Sequence, residues 1–161
     1  MSGRWGATSL AHVGPARSSR TATGRCLASA KPVICVVAGA LFDQFQRVLI
    51  AERPPGKHMA GRWEFPGGKV APGESEGDAL VRELREELGV TVTACRPFMR
   101  LSHEYDDRVV ELSMWLVDSF TGEPAGLDGQ GLKWVAPQAL GAEDILEADA
   151  PFVEALGRGI P

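Results

Sequence analysis

The stretch from Gly68 to Val90 reads GKVAPGESEGDALVRELREELGV. Its second half has helical spacing. At about 100° per residue, Leu80, Leu84 and Leu88 fall near 0°, 40° and 80° and form one apolar stripe. Glu86, Glu83 and Glu87 fall near about 240°, 300° and 340°, so three carboxylates share the adjacent arc. The pattern predicts a helix over 76–88 that stops at Gly89. Like charges at i, i+3 and i+4 repel, and each pair costs a few tenths of a kcal/mol. Two compensations are open. One is a solvated charged face with Arg82 and Arg85 as partners. The other is a divalent cation, for which hard oxygen donors suit Mg²⁺ or Mn²⁺.

Working outward, residues 54–73 hold Pro54, Pro55, Gly56, Gly61, Pro66, Gly67, Gly68, Pro72 and Gly73 and read as one long loop. Gly67 and Gly68 let the backbone approach a ligand or metal closely. Upstream, Val33–Ala38 is a continuous apolar run expected of a buried strand, and Arg47–Ala51 is a second strand after a turn near Asp43. Downstream, Val90–Val92, Glu111–Val117 and Leu132–Val135 have strand character, and Asp149–Leu156 reads as a closing helix. Strands and helices alternate, which is α/β or α+β organisation in one domain over 31–161.

The chain has 161 residues and a formal net charge of −4, which suits one self-supporting core. The charge is uneven. Residues 1–42 lack Asp and Glu and carry Arg4, Arg17, Arg20, Arg25 and Lys31, a charge of +5. Of the 17 Lys and Arg, the other 12 stand against all 21 Asp and Glu, so the rest of the chain carries −9. An acidic body argues against binding nucleic-acid polymers. No apolar run reaches the roughly 20 residues of a membrane helix. Cys26, Cys35 and Cys95 are too scattered for a disulfide framework or a zinc site. Residues 1–30 are rich in Ala, Ser, Thr and Gly, without periodicity, and are expected to be a disordered extension. A cytoplasmic protein follows. An organellar transit peptide is the other reading of an Arg- and Ser-rich, acid-free start.

Gly68, Glu74, Arg82, Glu83, Leu84, Glu86, Glu87, Gly89 and Val90 fit G-x5-E-x7-R-E-U-x-E-E-x-G-U, where U is apolar. This pattern resembles the Nudix box, with all of its carboxylates present. HMAGRWEFPGGK before it and the run down to about residue 158 are similar to the MutT branch of the Nudix hydrolases.

The resemblance implies an α/β fold, an α/β/α sandwich on a mixed sheet with the box as loop–helix–loop. It implies a Mg²⁺-dependent enzyme, with Mn²⁺ able to substitute, that acts on a nucleoside triphosphate. Water attacks the β-phosphorus, and the products are the monophosphate and pyrophosphate. Glu83, Glu86 and Glu87 match the metal-binding carboxylates, the Gly67 or Gly68 carbonyl adds an oxygen, and Asp128 sits where the family often has a further Glu. Asp128 is also a plausible turn residue before Gly129. Arg82 and Glu74 match an ion pair that orients the box. The general base is Glu83 or Glu86. Arg53, Phe65 and Asp149 match positions near the nucleotide. Their plainer alternatives are a surface Arg, a core aromatic and a helix N-cap before Pro151. His12, His58 and His103 are isolated surface or loop residues.

The substrate implied first is 8-oxo-dGTP, in sanitation of the nucleotide pool, with CTP or a modified dCTP as the alternative. A remote alternative is a non-catalytic Nudix module that senses nucleotides or binds proteins. A monomer without nucleic-acid or membrane partners is expected, a dimer being the alternative.

Overall fold

A computed structural model describes residues 31–159; the expected extension at 1–30 lies outside them. The apolar run near the start becomes β1, Val33–Leu41. It continues past Ala38 because both faces of the strand are covered. Val37 and Leu41 face one core and Ala38 and Ala40 the other, as in a strand buried on both sides. β1 pairs in parallel with β6 (Val109–Thr121) and antiparallel with β4 (Gly67–Lys69); β5 (Thr91–Glu104) completes the order β4-β1-β6-β5. A second sheet, antiparallel throughout, has the order β3-β2-β7, from Trp63–Glu64, Val48–Glu52 and Leu132–Val135.

One core packs under α1 (Glu76–Leu88), with Leu80, Leu84 and Leu88 all fully buried against Val37, Leu41, Leu49 and Val117. The other core lies under α2 (Ala150–Gly157) and a 3₁₀ segment at Pro137–Ala142, with Phe152, Leu156 and Leu140 against Ile50, Met114 and Leu116. Helices thus cover both faces of a mixed sheet, the expected sandwich.

Two expectations need correction. The region 54–73 is not loop throughout. Trp63–Glu64 and Gly67–Lys69 are short strands, because Glu64 pairs with Ala51 and Gly68 with Val37 despite the flanking glycines and prolines. Strand β5 also runs to Glu104, far beyond Val92. It is an edge strand, and it accommodates Pro97 with a register shift between Pro97 and Met99. Among the described residues, no helix is long and apolar enough to cross a membrane.

Gly39 on β1 faces the leucine stripe of α1. A Cβ there would stand 3.2 Å from both Leu80 Cδ1 and Leu84 Cδ1. Leu84→Ala leaves a cavity at this contact and is expected to lower the unfolding free energy by about 2–5 kcal/mol, measured by urea denaturation.

Candidate active site

The helix that carries the carboxylates is fixed at both ends. Ser75 Oγ accepts the Asp78 amide at 3.1 Å as N-cap, and Glu76 and Asp78 suit the positive end of the helix. Gly89 ends it in the left-handed region at φ 71°, its N–H donating to the Arg85 carbonyl at 3.0 Å. With the leucine stripe buried, Glu83, Glu86 and Glu87 are presented together on the neighbouring arc.

Arg82 is the partner of most of the acidic groups. Its Nε and one terminal nitrogen donate to the two Glu74 oxygens, each at 2.8 Å. The other terminal nitrogen donates to Glu83 at 2.8 Å and to Glu86 at 3.3 Å, and the first also reaches the Lys69 carbonyl at 3.0 Å. The two-pronged bond from Arg82, helped by the Ala71 amide, lowers the Glu74 pKa to about 2. Arg82 itself is pushed well above the usual range by Glu74 and Glu83.

The glycine pair supplies close approach. A Cβ on Gly68 would lie 2.3 Å from the Glu83 carboxylate carbon, and one on Gly67 would lie 2.1 Å from the Val37 carbonyl oxygen. A side chain at Gly67 would collide with the β1 backbone, and one at Gly68 would displace the Glu83 carboxylate. The Gly67 N–H donates to Glu87 Oε2 at 3.2 Å. Burial raises the Glu87 pKa to about 7, and the nearby Glu83 charge adds to the rise while the Gly67 N–H opposes it.

Glu87, Asp128, Glu64, Glu52, Lys57 and Gln130 line one cleft. Asp128 is exposed in a turn closed by Gly129 N–H to Gly126 C=O at 3.1 Å, so its turn role is real and still leaves it at the cleft. A roomier depression beside Phe42, Phe45 and Phe120 contains no box residue. The donors are hard oxygens, and the missing Cβ of Gly68 lets the Glu83 carboxylate close on the loop backbone, which fits a hard divalent cation. Among the described residues, however, no three acidic, imidazole or thiol groups converge into a ready-made cage. Arg82 holds Glu83 and Glu86, and the Gly67 amide holds Glu87.

The other three predicted residues lie towards β3. Arg53 is no free surface cation. It forms an ion pair with Glu64, and its Nε donates to the His58 carbonyl at 2.8 Å. Phe65 takes the core-aromatic alternative: it is 4% exposed, and the apolar surroundings take up the ring. Its backbone N–H donates to Asp149 Oδ2 at 3.3 Å. Asp149 precedes α2 but makes no capping bond, so the N-cap alternative does not describe its side chain. The carboxylate turns inward instead, and Asp149 is 5% exposed. Burial raises its pKa to about 7, with the Glu64 charge adding to the rise and the Phe65 N–H opposing it. Glu64 is itself raised by burial, against the pull of Arg53. His58 and His103 are exposed, and His12 lies outside the described residues.

Sequence reasoning missed Glu64, Lys57 and Gln130. For Glu64 there was a signal: a charge between Trp63 and Phe65 in an alternating run faces away from its apolar neighbours. Gln130 and Lys57 carry no comparable pattern.

The NUDIX domain family matches residues 37–155. The 8-oxo-dGTP diphosphatase of Escherichia coli K12 is 37% identical over 123 residues, covering 76% of this chain and 95% of that protein. The CTP pyrophosphohydrolase of the same organism is 39% identical over 119 residues, covering 74% and 88%. A solved chain from work on MutT of Aliivibrio salmonicida and Vibrio cholerae superposes with a TM-score of 0.71 at 39% identity, covering 80% of this chain and 99% of that one. The E. coli ORF135 protein in solution gives a TM-score of 0.71 at 38% identity, covering 78% and 89%. With the intact box on its capped helix, this chain belongs to the Nudix hydrolases, in their MutT branch.

Proposed function

We propose that the chain is a Mg²⁺-dependent nucleoside triphosphate pyrophosphohydrolase that converts 8-oxo-dGTP to its monophosphate and pyrophosphate, cleansing the cytoplasmic nucleotide pool. The observation that carries the reading is the set of three carboxylates on one helix arc, Glu83 and Glu86 held by Arg82 and Glu87 by the Gly67 amide, against a Gly67–Gly68 backbone whose missing Cβ atoms permit the close approach. The names of the E. coli and Haemophilus influenzae relatives, each an 8-oxo-dGTP diphosphatase, support the same substrate class. A monomer is the proposed oligomeric state, a dimer being the alternative.

In this reading Glu83, Glu86, Glu87, Asp128 and the Gly67 or Gly68 carbonyl hold the cation, with Mn²⁺ able to replace Mg²⁺. When bound, the cation offsets the phosphate charge and lowers the pKa of water. The chain's own residues do the rest. Arg82 and Glu74 fix the direction of the carboxylates and limit reorganisation during the reaction. Glu83 or Glu86 takes the proton of the attacking water as it meets the β-phosphorus. Glu83 is the more sheltered, its side chain 16% exposed against 60% for Glu86. Arg53, paired to Glu64, and the backbone at Phe65 border the nucleotide, and Asp149 reads the base.

One observation favours a second reading, a CTP or modified-dCTP pyrophosphohydrolase. Buried Asp149 has its pKa raised to about 7, so a neutral carboxyl is accessible near neutral pH. Neutral, it donates to the acceptor edge of cytosine. Ionised, it accepts from the N1–H and N2–H₂ donors of an oxidised guanine.

Three tests follow from these roles. Steady-state turnover on a nucleotide panel should give a kcat/KM for 8-oxo-dGTP at least about tenfold above dGTP and dCTP, equal to about 1.4 kcal/mol. A higher value for CTP or a substituted dCTP selects the second reading. Glu83→Gln and Glu86→Gln should each cut kcat by at least about 100-fold while circular dichroism stays unchanged. Unaltered turnover in both removes the mechanism, whereas a wild type that turns over no nucleotide of the panel is the outcome that leaves a non-catalytic module. The third test follows from the raised folded-state pKa of Asp149. Below its unfolded pKa of 3.8 the group is neutral in both states; its ionisation then favours unfolding until the pH passes about 7. The stability of the wild type relative to Asp149→Asn should therefore fall as pH rises from about 4 to 7 and level off above, measured by urea denaturation across that range.

A further inference from the structure

The loop after β6 closes over the C-terminal end of α1 in an unusual way. The last carbonyls of a helix lack partners within it. Here the Leu88 carbonyl accepts the Ala125 N–H at 3.0 Å, and the Glu87 carbonyl accepts the Leu127 N–H at 3.0 Å. The Glu87 carbonyl takes a second bond, from Gln130 Nε2 at 3.1 Å. The other end of the same amide is also used: Gln130 Oε1 accepts the Asp128 N–H at 2.8 Å. One half-buried side chain thus spans from the helix residue Glu87 to the backbone of Asp128.

The turn is packed too tightly to shift freely. A Cβ on Gly126 would meet the Gln130 carbonyl oxygen at 2.1 Å. On the far side the Glu52 N–H donates to the Gly131 carbonyl at 2.8 Å, anchoring the turn to β2. Asp128 has little else to place it. Its residue is exposed, and the bonds that define its turn are all made by backbone or by Gln130.

We propose that Gln130 is a positioning residue of the cation site, which makes the turn bearing Asp128 and the helix bearing Glu83, Glu86 and Glu87 one rigid unit. This rests on the reading of Asp128 as a cation ligand given above. Gln130 touches neither cation nor substrate in this scheme. It acts through Asp128, by fixing where that carboxylate faces Glu87 across the cleft. The competing view is that Gln130 only satisfies the helix end, in which case its loss lowers stability without touching cation affinity.

Mn²⁺ alone is the probe, with free Mn²⁺ counted by electron paramagnetic resonance during titration of the full chain. The proteins are wild type, Asp128→Asn, Gln130→Met and the double variant. Gln130→Met keeps the volume and removes both bonds. It is expected to weaken Mn²⁺ binding by about tenfold, in the range for groups that orient a ligand. In the Asp128→Asn background the same change is expected to add nothing, because the residue through which Gln130 acts has gone. Wild-type affinity in Gln130→Met, or an equal loss in both backgrounds, overturns the proposal. If Asp128→Asn leaves affinity unchanged, the reading of Asp128 fails, and the proposal fails with it. If Asp128→Asn weakens binding and Gln130→Met does not, the proposal alone fails. Should Gln130→Met not fold, Gln130→Asn retracts the amide by one methylene, and the same outcomes apply to it.

Discussion

The site depends on one guanidinium. Glu83, Glu86 and Glu87 stand at i, i+3 and i+4, an arrangement that opposes helix formation unless opposite charge is close. Arg82 spreads its donors over Glu74, Glu83, Glu86 and the Lys69 carbonyl, so it neutralises the arc and also ties the helix to β4 and to the loop before it. A lysine could not repeat this. Its ammonium is a compact point charge, whereas the planar fork of arginine meets both Glu74 oxygens at once. Arg82 is partly exposed, so the arrangement contributes more to geometry than to stability.

The second constraint is steric. α1, β1 and β4 approach one another so closely that a side chain at Gly39, Gly67 or Gly68 would press on a neighbour, a different one each time: leucine methyl groups, the β1 backbone and a carboxylate. The leucine stripe of α1 sets how deep the helix sits on β1, and that depth brings Glu83 against Gly68. Core packing and site geometry are therefore one problem here. An enlarged residue under α1 would be felt at the carboxylates.

These features were unevenly legible in the sequence. Residues with a strong period were readable: α1, β7 and the buried run of β1 follow from spacing alone, and the pairing of Arg82 with Glu74 follows from the resemblance to the Nudix box. The short strands β3 and β4 were hidden because their pairing comes from β1 and β2, distant in sequence, while their own glycines and prolines signal loop. The length of β5 was hidden by Pro97, which an edge strand tolerates. At Asp149 the local signal was misleading. An Asp before Pro151 suggests a cap, yet the carboxylate bonds to Phe65, 84 positions away in the chain. Phe65 and Arg53 show the same limit, since one is claimed by the core and the other by Glu64. Local chemistry suggests what a side chain can do, and tertiary neighbours decide which option it takes.

The segment Phe65–Gly67 links the two ends of the cleft. Its amides alternate: Phe65 N–H donates to Asp149 and Gly67 N–H to Glu87, while the Pro66 carbonyl between them accepts the Gly39 N–H of β1 at 2.9 Å. In an extended chain, amides two residues apart point the same way, about 6–7 Å from each other. Pro66 has no N–H to compete, and its carbonyl holds the segment on the central strand. The buried Asp149 and the half-buried Glu87, carboxylates from separate helical regions, are therefore spaced by a piece of backbone anchored to the sheet, not by flexible side chains. Glu64, beside Asp149 and Glu87 and paired to Arg53, adds negative charge near both and raises the pKa of each. Part of the acidity of the chain gathers here, where it costs folding energy, and a ligand that brings positive charge to the cleft gains from that cost.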